Sequence, residues 1–339
     1  MGRKTIHDVA EAAGVAIKTV SRVLNNEPNV AEQTRARVQA AVQALNYHPS
    51  LSARSLASRK SYLIGLLYEN PSANYIVDVQ HGAMERCHEE RFRLFVHQCD
   101  GKGEALVREV MGLLDQTHAD GLIVSAPLSE SAELIEALDK RKLPFVRIAP
   151  SDMEHHSAYV DMDDEGAARE MTEHLISLGH RAIGFIIGHP AHYASGLRLQ
   201  GYKAALQDHD IPFDAAYVKQ GLFEFESGLK AARELLTMPN PPTAIFASND
   251  DMAAGVLMSA HELNIAVPAR LSVVGFDDTY VARIVWPPLT TVHQPTYDLA
   301  YAATGLLLQT LRNSDGPKFA RLPHRLIIRD STGPVAKIR

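Results

Sequence analysis

Cysteine, tryptophan and long apolar runs are scarce in this chain of 339 residues, which has two cysteines and one tryptophan. Cys87 and Cys99 form no CxxC pair, which argues against both a disulfide framework and a structural zinc site. No apolar run approaches the roughly 18 to 20 residues needed to span a bilayer. The polar N-terminus lacks the apolar segment of a secretory signal. These absences predict a cytoplasmic protein with free thiols.

The composition indicates a globular protein whose charge is unevenly distributed along the chain. A hydrophobic content of 46% excludes disorder as the main state, and at roughly 150 residues per domain the length predicts two or three units. Residues 1–60 have nine Lys/Arg and four Asp/Glu, which leaves 25 and 36 in the rest of the chain. The net charge of −6 is therefore +5 in the head and −11 in the body. This asymmetry predicts that the head alone binds a polyanion.

The first 45 residues have the pattern of three short helices. Residues 5–8, Thr-Ile-His-Asp, form a capping box, and apolar residues recur at helical spacing until Gly14. The second helix turns Val20 and Val23 inward, and the third extends over about residues 31–45. Two helices that are joined by a tight glycine-containing turn and braced by a third predict a helix-turn-helix domain.

From residue 62 onward, short β-forming runs alternate with amphipathic stretches. The predicted strands are 63–67, 94–97, 121–125, 145–148, 182–187, 243–247 and 271–275. The predicted helices lie near 75–90, 103–116, 130–141, 164–178, 195–208, 226–236, 250–263 and 297–312. Strands that alternate with helices predict parallel sheets with right-handed crossovers. Because so many units exceed one compact sheet, we expect two doubly wound α/β subdomains, with ligands at the carboxyl ends of the strands.

Several motifs occur in order along nearly the whole chain. They are residues 5–15 (TIHDVAEAAGV), 19–25 (TVSRVLN), 47–56 (YHPSLSARSL), 74–75 (NY), 179–184 (GHRAIG), 198–202 (RLQGY), 249–250 (ND), 274–278 (VGFDD) and 288–295 (PLTTVHQP). With these motifs the chain resembles the LacI/GalR family of bacterial transcriptional repressors. The resemblance implies an N-terminal all-α helix-turn-helix domain, followed by an α/β core similar to periplasmic sugar-binding proteins, with two doubly wound parallel-sheet subdomains.

The resemblance also implies where the chain divides. The expected parts are a helix-turn-helix domain, a hinge, and an effector-binding and dimerisation domain, over residues 1–48, 49–61 and 62–339. The last part is expected to have two subdomains, formed by residues 62–161 plus about 293–322, and by residues 162–292 plus about 323–330. The basic head and acidic body fit a division at the hinge.

A DNA site in the head and hinge follows from the same resemblance. The base-reading candidates are Ile17, Lys18 and Arg22, and the phosphate-contacting candidates are Thr5, Thr19, Ser21 and Asn25. Arginine and lysine donate to guanine acceptors, and isoleucine suits a thymine methyl. In the hinge, the wedge residue for the minor groove is Leu56, and its neighbours in the site are Ala53, Arg54 and Ser55. The alternatives are a phosphate contact for Arg22 and ordinary packing between paired hinge helices for Leu56.

An effector site in the body is the second implication of the resemblance. Its candidate residues are Asn74, Tyr75, Asp163, His192, Arg198, Phe223, Asn249, Asp277 and Gln294. Arg198 and Asp277 would bind sugar hydroxyls through charge-assisted hydrogen bonds, and Phe223 would stack on the ring. The alternative for Asp277 is a loop-capping acid. His189 and His192 have HxxH spacing without a clear third ligand, so no metal or cofactor is predicted.

These expectations describe a DNA-binding regulator rather than an enzyme. We expect a repressor of a carbohydrate-utilisation operon whose operator affinity is changed by a small sugar bound between the subdomains. The alternative is an effector-activated, co-repressor type of regulator that responds to a nucleoside or purine. Residues 1–60 oppose a binding protein without a DNA function. A Rossmann-type enzyme is opposed because residues 101–103 lack the third glycine of a dinucleotide loop and no Walker A, GxSxG or HExxH motif occurs.

The partners follow from the geometry of helix-turn-helix proteins. One head covers one half-site, so specific binding needs a homodimer on a pseudo-palindromic DNA operator. The last ten residues have no leucine heptads of the kind that join dimers into tetramers. A dimer is therefore expected rather than a tetramer.

Overall fold

The computed structural model describes residues 4–24, 27–47, 60–312 and 316–335. Contacts within the chain define two compact units, Met1–Tyr62 and Leu63–Arg339. Most of the predicted hinge, residues 48–59, lies outside the described residues. In the part of the chain that the structure describes, no helix has both the length and the apolar character needed to cross a membrane.

The first unit is a three-helix domain, as the sequence predicts. Its helices are α1 (Ile6–Ala13), α2 (Ile17–Leu24) and α3 (Glu32–Ala44). Helix α1 begins with the predicted capping box, in which the Thr5 N–H donates to the Asp8 carboxylate at 2.6 Å, and ends at Gly14 with φ +61°. Val9, Val20 and Val38, one from each helix, are fully buried against one another. This core leaves the other faces of α2 accessible.

The second unit contains a six-stranded parallel sheet in the order β2-β1-β3-β4-β5-β11. Its strands are β1 (Leu63–Tyr68), β2 (Arg93–Gln98), β3 (Gly121–Val124), β4 (Phe145–Ile148), β5 (Ala158–Asp161) and β11 (Phe319–Arg321). The helices connected with it are α4 (Ala73–Glu89), α5 (Glu104–Thr117), α6 (Ala132–Arg141) and α12 (Thr296–Leu311). Helix α12 packs on α4 and on the central strands, so a late stretch of chain completes this first lobe.

A four-stranded parallel sheet in the order β7-β6-β8-β9 forms the second lobe. Its strands are β6 (Ile183–Ile187), β7 (Val218–Gln220), β8 (Ala244–Ala247) and β9 (Ser272–Val274). Its helices are α7 (Asp164–Ser177), α8 (Tyr193–Asp208), α9 (Phe225–Leu236), α10 (Asp250–Glu262) and α11 (Tyr280–Ile284). An antiparallel pair, β10 (Thr291–His293) and β12 (Arg325–Ile327), packs on α7.

All seven predicted strands and all eight predicted body helices are present, which confirms the doubly wound α/β fold. Five described strands, β5, β7, β10, β11 and β12, were not predicted. Each has three or four residues, too few for a hydrophobic period to be recognised. Backbone pairing with a neighbouring strand defines them, and this becomes visible only in the folded chain.

Two glycines in helix α8 give a stability prediction with an internal control. A Cβ on Gly201 would clash with the carbonyl oxygen of Glu165 in the packed helix α7, whereas a Cβ on Gly196 meets nothing within 4 Å. We expect Gly201→Ala to lower the free energy of unfolding by about 1 to 3 kcal/mol through overpacking. Gly196→Ala should raise it by up to about 1 kcal/mol through helix propensity. Urea denaturation of both variants measures the difference, and equal effects would contradict the close approach of the two helices.

Candidate functional site

A cavity lies between the two lobes of the body, at the carboxyl ends of the parallel strands. Most of its lining residues follow the end of a strand, as the topology of doubly wound sheets requires. The lining residues are Asn70, Ser72, Tyr75, Ala126, Ala149, Asp164, His192, Ala194, Arg198, Phe223, Asn249, Asp277 and Gln294. Seven of the nine predicted effector residues are among them. The predicted strand ends therefore converge on one site.

Arg198 is the central cation of the cavity. Its Nε donates to Asp164 Oδ1 at 2.8 Å, Nη1 to the Ser248 carbonyl oxygen at 2.5 Å, and Nη2 to Gln294 Oε1 at 3.2 Å. Its guanidinium carbon lies 3.5 Å from the centre of the Phe276 ring. Since a guanidinium has five N–H groups, two remain for a ligand. The contacts hold Arg198 in one orientation before any ligand arrives.

Two buried carboxylates lie against this guanidinium and make the cavity acidic. Asp277 Oδ1 lies 3.8 Å from Arg198 Nη1, and Asp164 is hydrogen-bonded to the Nε. Burial raises the pKa of Asp277 well above its usual value and raises that of Asp164, against the opposing effect of Arg198. Apart from that ion pair, the Asp277 carboxylate has no partner among the described side chains. It is therefore free to accept hydrogen bonds from a ligand.

The side walls of the cavity combine aromatic faces with neutral polar groups. Tyr75 is buried, and this burial raises the pKa of its phenol, which stays protonated. Burial lowers the pKa of His192 to about 3, so its imidazole is neutral at physiological pH. The rings of His192 and Phe223 meet edge to face at 5.3 Å. The walls thus offer flat apolar surface and uncharged hydrogen-bonding groups.

Phe223 and Asp277 share an unusual backbone conformation. Their φ angles are +63° and +112°, in a region that side chains with a Cβ seldom adopt. Such conformations cluster at ligand sites, where the surrounding structure holds them in place. The local backbone thus directs the Phe223 ring and the Asp277 carboxylate toward the same cavity.

Asn249 lines the cavity and also makes two hydrogen bonds within the protein. Its side-chain oxygen accepts from the Met252 N–H at 2.9 Å, which caps helix α10, and its amide donates to the Phe223 carbonyl oxygen at 2.9 Å. Asn249 therefore positions the loop that carries Phe223. Its contact with the ligand stays a prediction, and the structure adds this supporting role.

Asn74 and Asp163, the other two predicted effector residues, do not line the cavity. Asp163 accepts from the Gly166 N–H at 2.9 Å and caps helix α7, so its carboxylate is held at the helix end. Asn74 lies at the rim, where its amide donates to Asp251 at 3.4 Å. The neighbouring polar residues Asp164 and Ser72 line the cavity in their place. Sequence reasoning also missed Asn70, although all three missed residues come just after a strand.

Contacts across the cavity mouth fasten the two lobes together. Ser72 Oγ on the first lobe donates to Asp251 Oδ2 on the second at 2.7 Å. On the opposite rim the Tyr193 N–H donates to Glu130 Oε1 at 3.0 Å. Two hydrogen bonds therefore join the lobes beside the cavity.

Asp250 is a buried carboxylate behind the cavity that ties three elements of the second lobe together. It accepts from the N–H and the hydroxyl of Thr279 at 2.7 and 3.1 Å, and from the Thr291 hydroxyl at 2.6 Å. Burial raises its pKa to about 7 despite these hydrogen bonds. Asp250 thus holds the loop that carries Asp277.

The raised pKa of Asp250 predicts a pH-dependent stability. A carboxyl that is more basic in the folded than in the unfolded state binds more protons when folded, so its contribution to stability falls as the pH rises from about 4 to 8. Asp250→Asn, which never ionises, should remove this contribution. We expect the difference in unfolding free energy, variant minus native, to increase from pH 5 to pH 8. Urea titrations at both pH values measure it, and a difference that stays constant would show that Asp250 does not titrate in this range.

The described DNA-binding candidates lie together on the first unit. Helix α2 contains five of them, and none belongs to its buried pair, Val20 and Val23. The five are Ile17, Lys18, Thr19, Ser21 and Arg22. Ile17 is exposed although it is apolar, with 40% of its surface accessible. Thr5 caps α1 and is exposed. The remaining candidates, Asn25, Ala53, Arg54, Ser55 and Leu56, lie outside the described residues.

Arg22 is held in position by the loop that follows α2. Its Nε lies 3.2 Å from Glu27 Oε2, and its Nη2 donates to the Pro28 carbonyl oxygen at 3.3 Å. Arg35, which lies in helix α3, donates to the Glu27 carbonyl oxygen, and the two atoms are 3.0 Å apart. These contacts order the guanidinium on the surface of α2.

Comparisons with known proteins cover both units. A family model described as bacterial regulatory proteins, lacI family, matches residues 5–50, and one described as a periplasmic binding protein-like domain matches residues 172–332. The HTH-type transcriptional repressor PurR of Yersinia pestis (strain Pestoides F) is 35% identical, covering 99% of both chains.

Two solved structures have the same architecture at similar identity. A lac repressor dimer bound to operator and the anti-inducer ONPF aligns with a TM-score of 0.80 and 31% identity, over 98% of this chain and 100% of that one. A transcriptional regulator CelR-cellobiose complex aligns with a TM-score of 0.74 and 30% identity, over 97% and 100% of the two chains. The similarity therefore extends over head and body alike.

Proposed function

We propose that this chain, which belongs to the lacI family of bacterial regulatory proteins, is a sugar-responsive repressor. Membership of the family makes it a DNA-binding transcriptional regulator. The effector would bind in the cavity between the two lobes. The observation that carries the proposal is that an immobilised Arg198 lies beside the Asp277 carboxylate, which has no hydrogen-bond donor among the described side chains. Together they offer forked donors and acceptors to neighbouring hydroxyls.

The charge of the cavity supports a neutral polyol as the ligand. Asp164 and Asp277 face a single lining cation, Arg198, among the described residues. A phosphorylated ligand would bring further negative charge into this buried site, where unpaired charge is costly. A sugar instead donates hydrogen bonds from its hydroxyl groups to the carboxylates and covers the Phe223 ring with its apolar face. The CelR-cellobiose complex is a relative with a sugar ligand.

A purine or nucleoside acting as a co-repressor is the second candidate. The aromatic and neutral walls formed by Tyr75, His192 and Phe223 would also accept a flat base. The PurR relative, which is described as a repressor, is 35% identical to this chain. A free purine base differs from a sugar in its use of Asp277, because it has no hydroxyl groups that would donate to this carboxylate.

A homodimer follows from the helix-turn-helix arrangement, and two exposed apolar surfaces on the body support it. Val77 and Met84, on one side of helix α4, are about half exposed. On the second lobe, Tyr280 and Ile284 of α11 and the neighbouring Trp286 are exposed, Trp286 by 86%. Large exposed apolar side chains of this kind mark protein interaction sites. We propose that both surfaces pair with their counterparts around a two-fold axis, as a palindromic operator requires.

A ligand panel tests the effector proposal directly. Purified full-length protein is screened by thermal shift against neutral sugars, sugar phosphates, nucleosides and purines. A ligand at about 100 times its dissociation constant should stabilise the protein by roughly 2.7 kcal/mol. We expect a neutral sugar to shift the native protein but not an Asp277→Asn variant. Stabilisation by a purine, retained in that variant, would favour the second candidate.

The proposed division of roles predicts that a substitution in the hinge changes operator binding and leaves effector binding nearly unchanged. We expect Leu56→Ala to weaken operator binding by a few kcal/mol, because an apolar wedge at a base step supports the bent DNA. Effector binding should stay nearly unchanged, since the cavity is built from residues 70–294. Fluorescence anisotropy with a palindromic operator and calorimetry with the effector measure both quantities. An equal loss of both would contradict the proposed division of roles.

A further inference from the structure

We propose that His97, Cys99 and Glu109 form a site for one zinc-class divalent cation at the edge of the first lobe. The ligand atoms of these three residues all lie within 4.8 Å of one another. His97 Nε2 is 2.7 Å from Glu109 Oε1. The site is separate from the effector cavity, and none of its three residues lines that cavity. The proposal therefore does not depend on the identity of the effector.

The fold holds each of the three ligands in place. His97 lies in strand β2 and Cys99 follows its end, so a spacing of two residues turns both to the same face. The Cys99 N–H donates to the Tyr68 carbonyl oxygen of β1 at 2.9 Å. Glu109 comes from helix α5, and its Oε2 accepts from the Gly101 N–H at 3.0 Å. Such supporting hydrogen bonds orient ligands and raise metal affinity.

Imidazole, thiolate and carboxylate are the three ligand types that zinc takes in proteins. In a tetrahedral site at bond lengths of about 2.0 to 2.3 Å, ligand atoms lie about 3.3 to 3.8 Å apart. The existing cluster therefore reaches this geometry through small side-chain rotations. His97 and Glu109 keep 31% and 26% of their side-chain surface exposed, so a cation in solvent can reach both side chains.

The charge around Cys99 also favours a cation. Glu109, Glu69 and Asp100 place three carboxylates near the Cys99 thiol. A divalent cation binds the thiolate, and the thiol proton leaves to solvent. The acidic neighbours then attract the metal instead of opposing the ionised sulfur.

A second cluster in the same lobe serves as an internal comparison. Asp139, His155 and His156 also bring three ligand atoms within 4.8 Å of one another. It lacks sulfur, and its carboxylate is engaged with both rings, at 2.9 and 3.2 Å. The buried cation Arg147 donates to Ser157 at 2.8 Å, which in turn contacts His155. The positive charge makes this cluster the weaker metal site.

Cobalt titration of the reduced, chelator-treated full-length protein tests the proposal. Only a cysteine-containing site gives a thiolate-to-cobalt charge-transfer band, which distinguishes the two clusters. We expect one Co²⁺ per chain, a thiolate band, and displacement of the band by Zn²⁺. Cys99→Ser should abolish the band, while Cys87→Ser, which changes the other buried cysteine, should retain it.

Two further variants keep the test decisive if Cys99→Ser folds poorly. His97→Gln and Glu109→Gln alter half-buried side chains, and each should weaken Co²⁺ and Zn²⁺ binding at least about tenfold. Circular dichroism checks that each variant is folded. The proposal is overturned if the folded native protein shows no thiolate band, or if the band survives Cys99→Ser. It is also overturned if zinc affinity is lost in His155→Gln and unchanged in His97→Gln.

Discussion

Replacing Arg198 by alanine should lower the free energy of unfolding by about 3 to 5 kcal/mol and abolish effector binding. The guanidinium is the partner of two buried carboxylates, Asp164 and Asp277. Its removal leaves uncompensated buried charge, which is far more costly than the loss of a surface ion pair. It also leaves the Gln294 and Ser248 oxygens without their donor. Urea denaturation at pH 7 measures the first effect, and calorimetry with the effector measures the second.

Arg169→Ala is the matched control for this variant. Arg169 on helix α7 also has two acidic partners, Glu173 at 3.1 Å and Asp208 at 2.8 Å, but is about half exposed. Its loss should cost no more than about 1 kcal/mol. The Arg198 variant should regain stability as the pH falls, because Asp164 and Asp277 then fold in their neutral form. If the two arginine variants lose equal stability, the buried charge network does not act as described.

Arg22→Ala should weaken operator binding by about 1 to 3 kcal/mol, or roughly 5- to 150-fold, and relax specificity at one base pair. The Glu27 and Pro28 contacts order the Arg22 side chain on α2, so little conformational entropy is lost when it pairs with a guanine. Anisotropy titrations against a set of operators, each altered at one position, measure the loss. It should be largest on the native operator and small where the contacted guanine is replaced.

Arg37→Ala removes the same charge from an exposed position on α3 and is the control. It should reduce affinity much less on every operator. A phosphate contact for Arg22 makes a different prediction: affinity would fall uniformly across the operators, and the salt dependence would decrease by about one counterion. That pattern would reject base reading by Arg22.

The sequence by itself determined the architecture, because the signals that specify it are local. The capping box at Thr5 and the left-handed turn at Gly14 bound α1 as predicted. Apolar runs and amphipathic stretches located seven strands and eight helices of the body. The order of the motifs along the chain was sufficient to indicate the family. Each cap, apolar run and single motif lies within about 15 consecutive residues, so local rules can detect it.

The tertiary structure decided which polar side chains face the cavity and which support it. Asp163 and Asp164 are adjacent acids after one strand, and no local pattern distinguishes between them. Helix α7 settles the question, because its first N–H groups engage Asp163 and leave Asp164 against Arg198. Asn249 likewise uses its amide for a cap and a loop. A side chain has few hydrogen-bonding groups, and only the folded chain shows which of them are already used.

The same limit applies to the proposed cation site. Two cysteines without a CxxC pair argue against zinc when spacing along the chain is the only evidence. Glu109 is ten residues from Cys99, and it reaches His97 only because helix α5 packs back beside strand β2. Local pattern and composition determine the family, the fold class and the basic head. The partners of Arg198 and the His97, Cys99 and Glu109 cluster depend on distances across the fold, which local pattern does not encode.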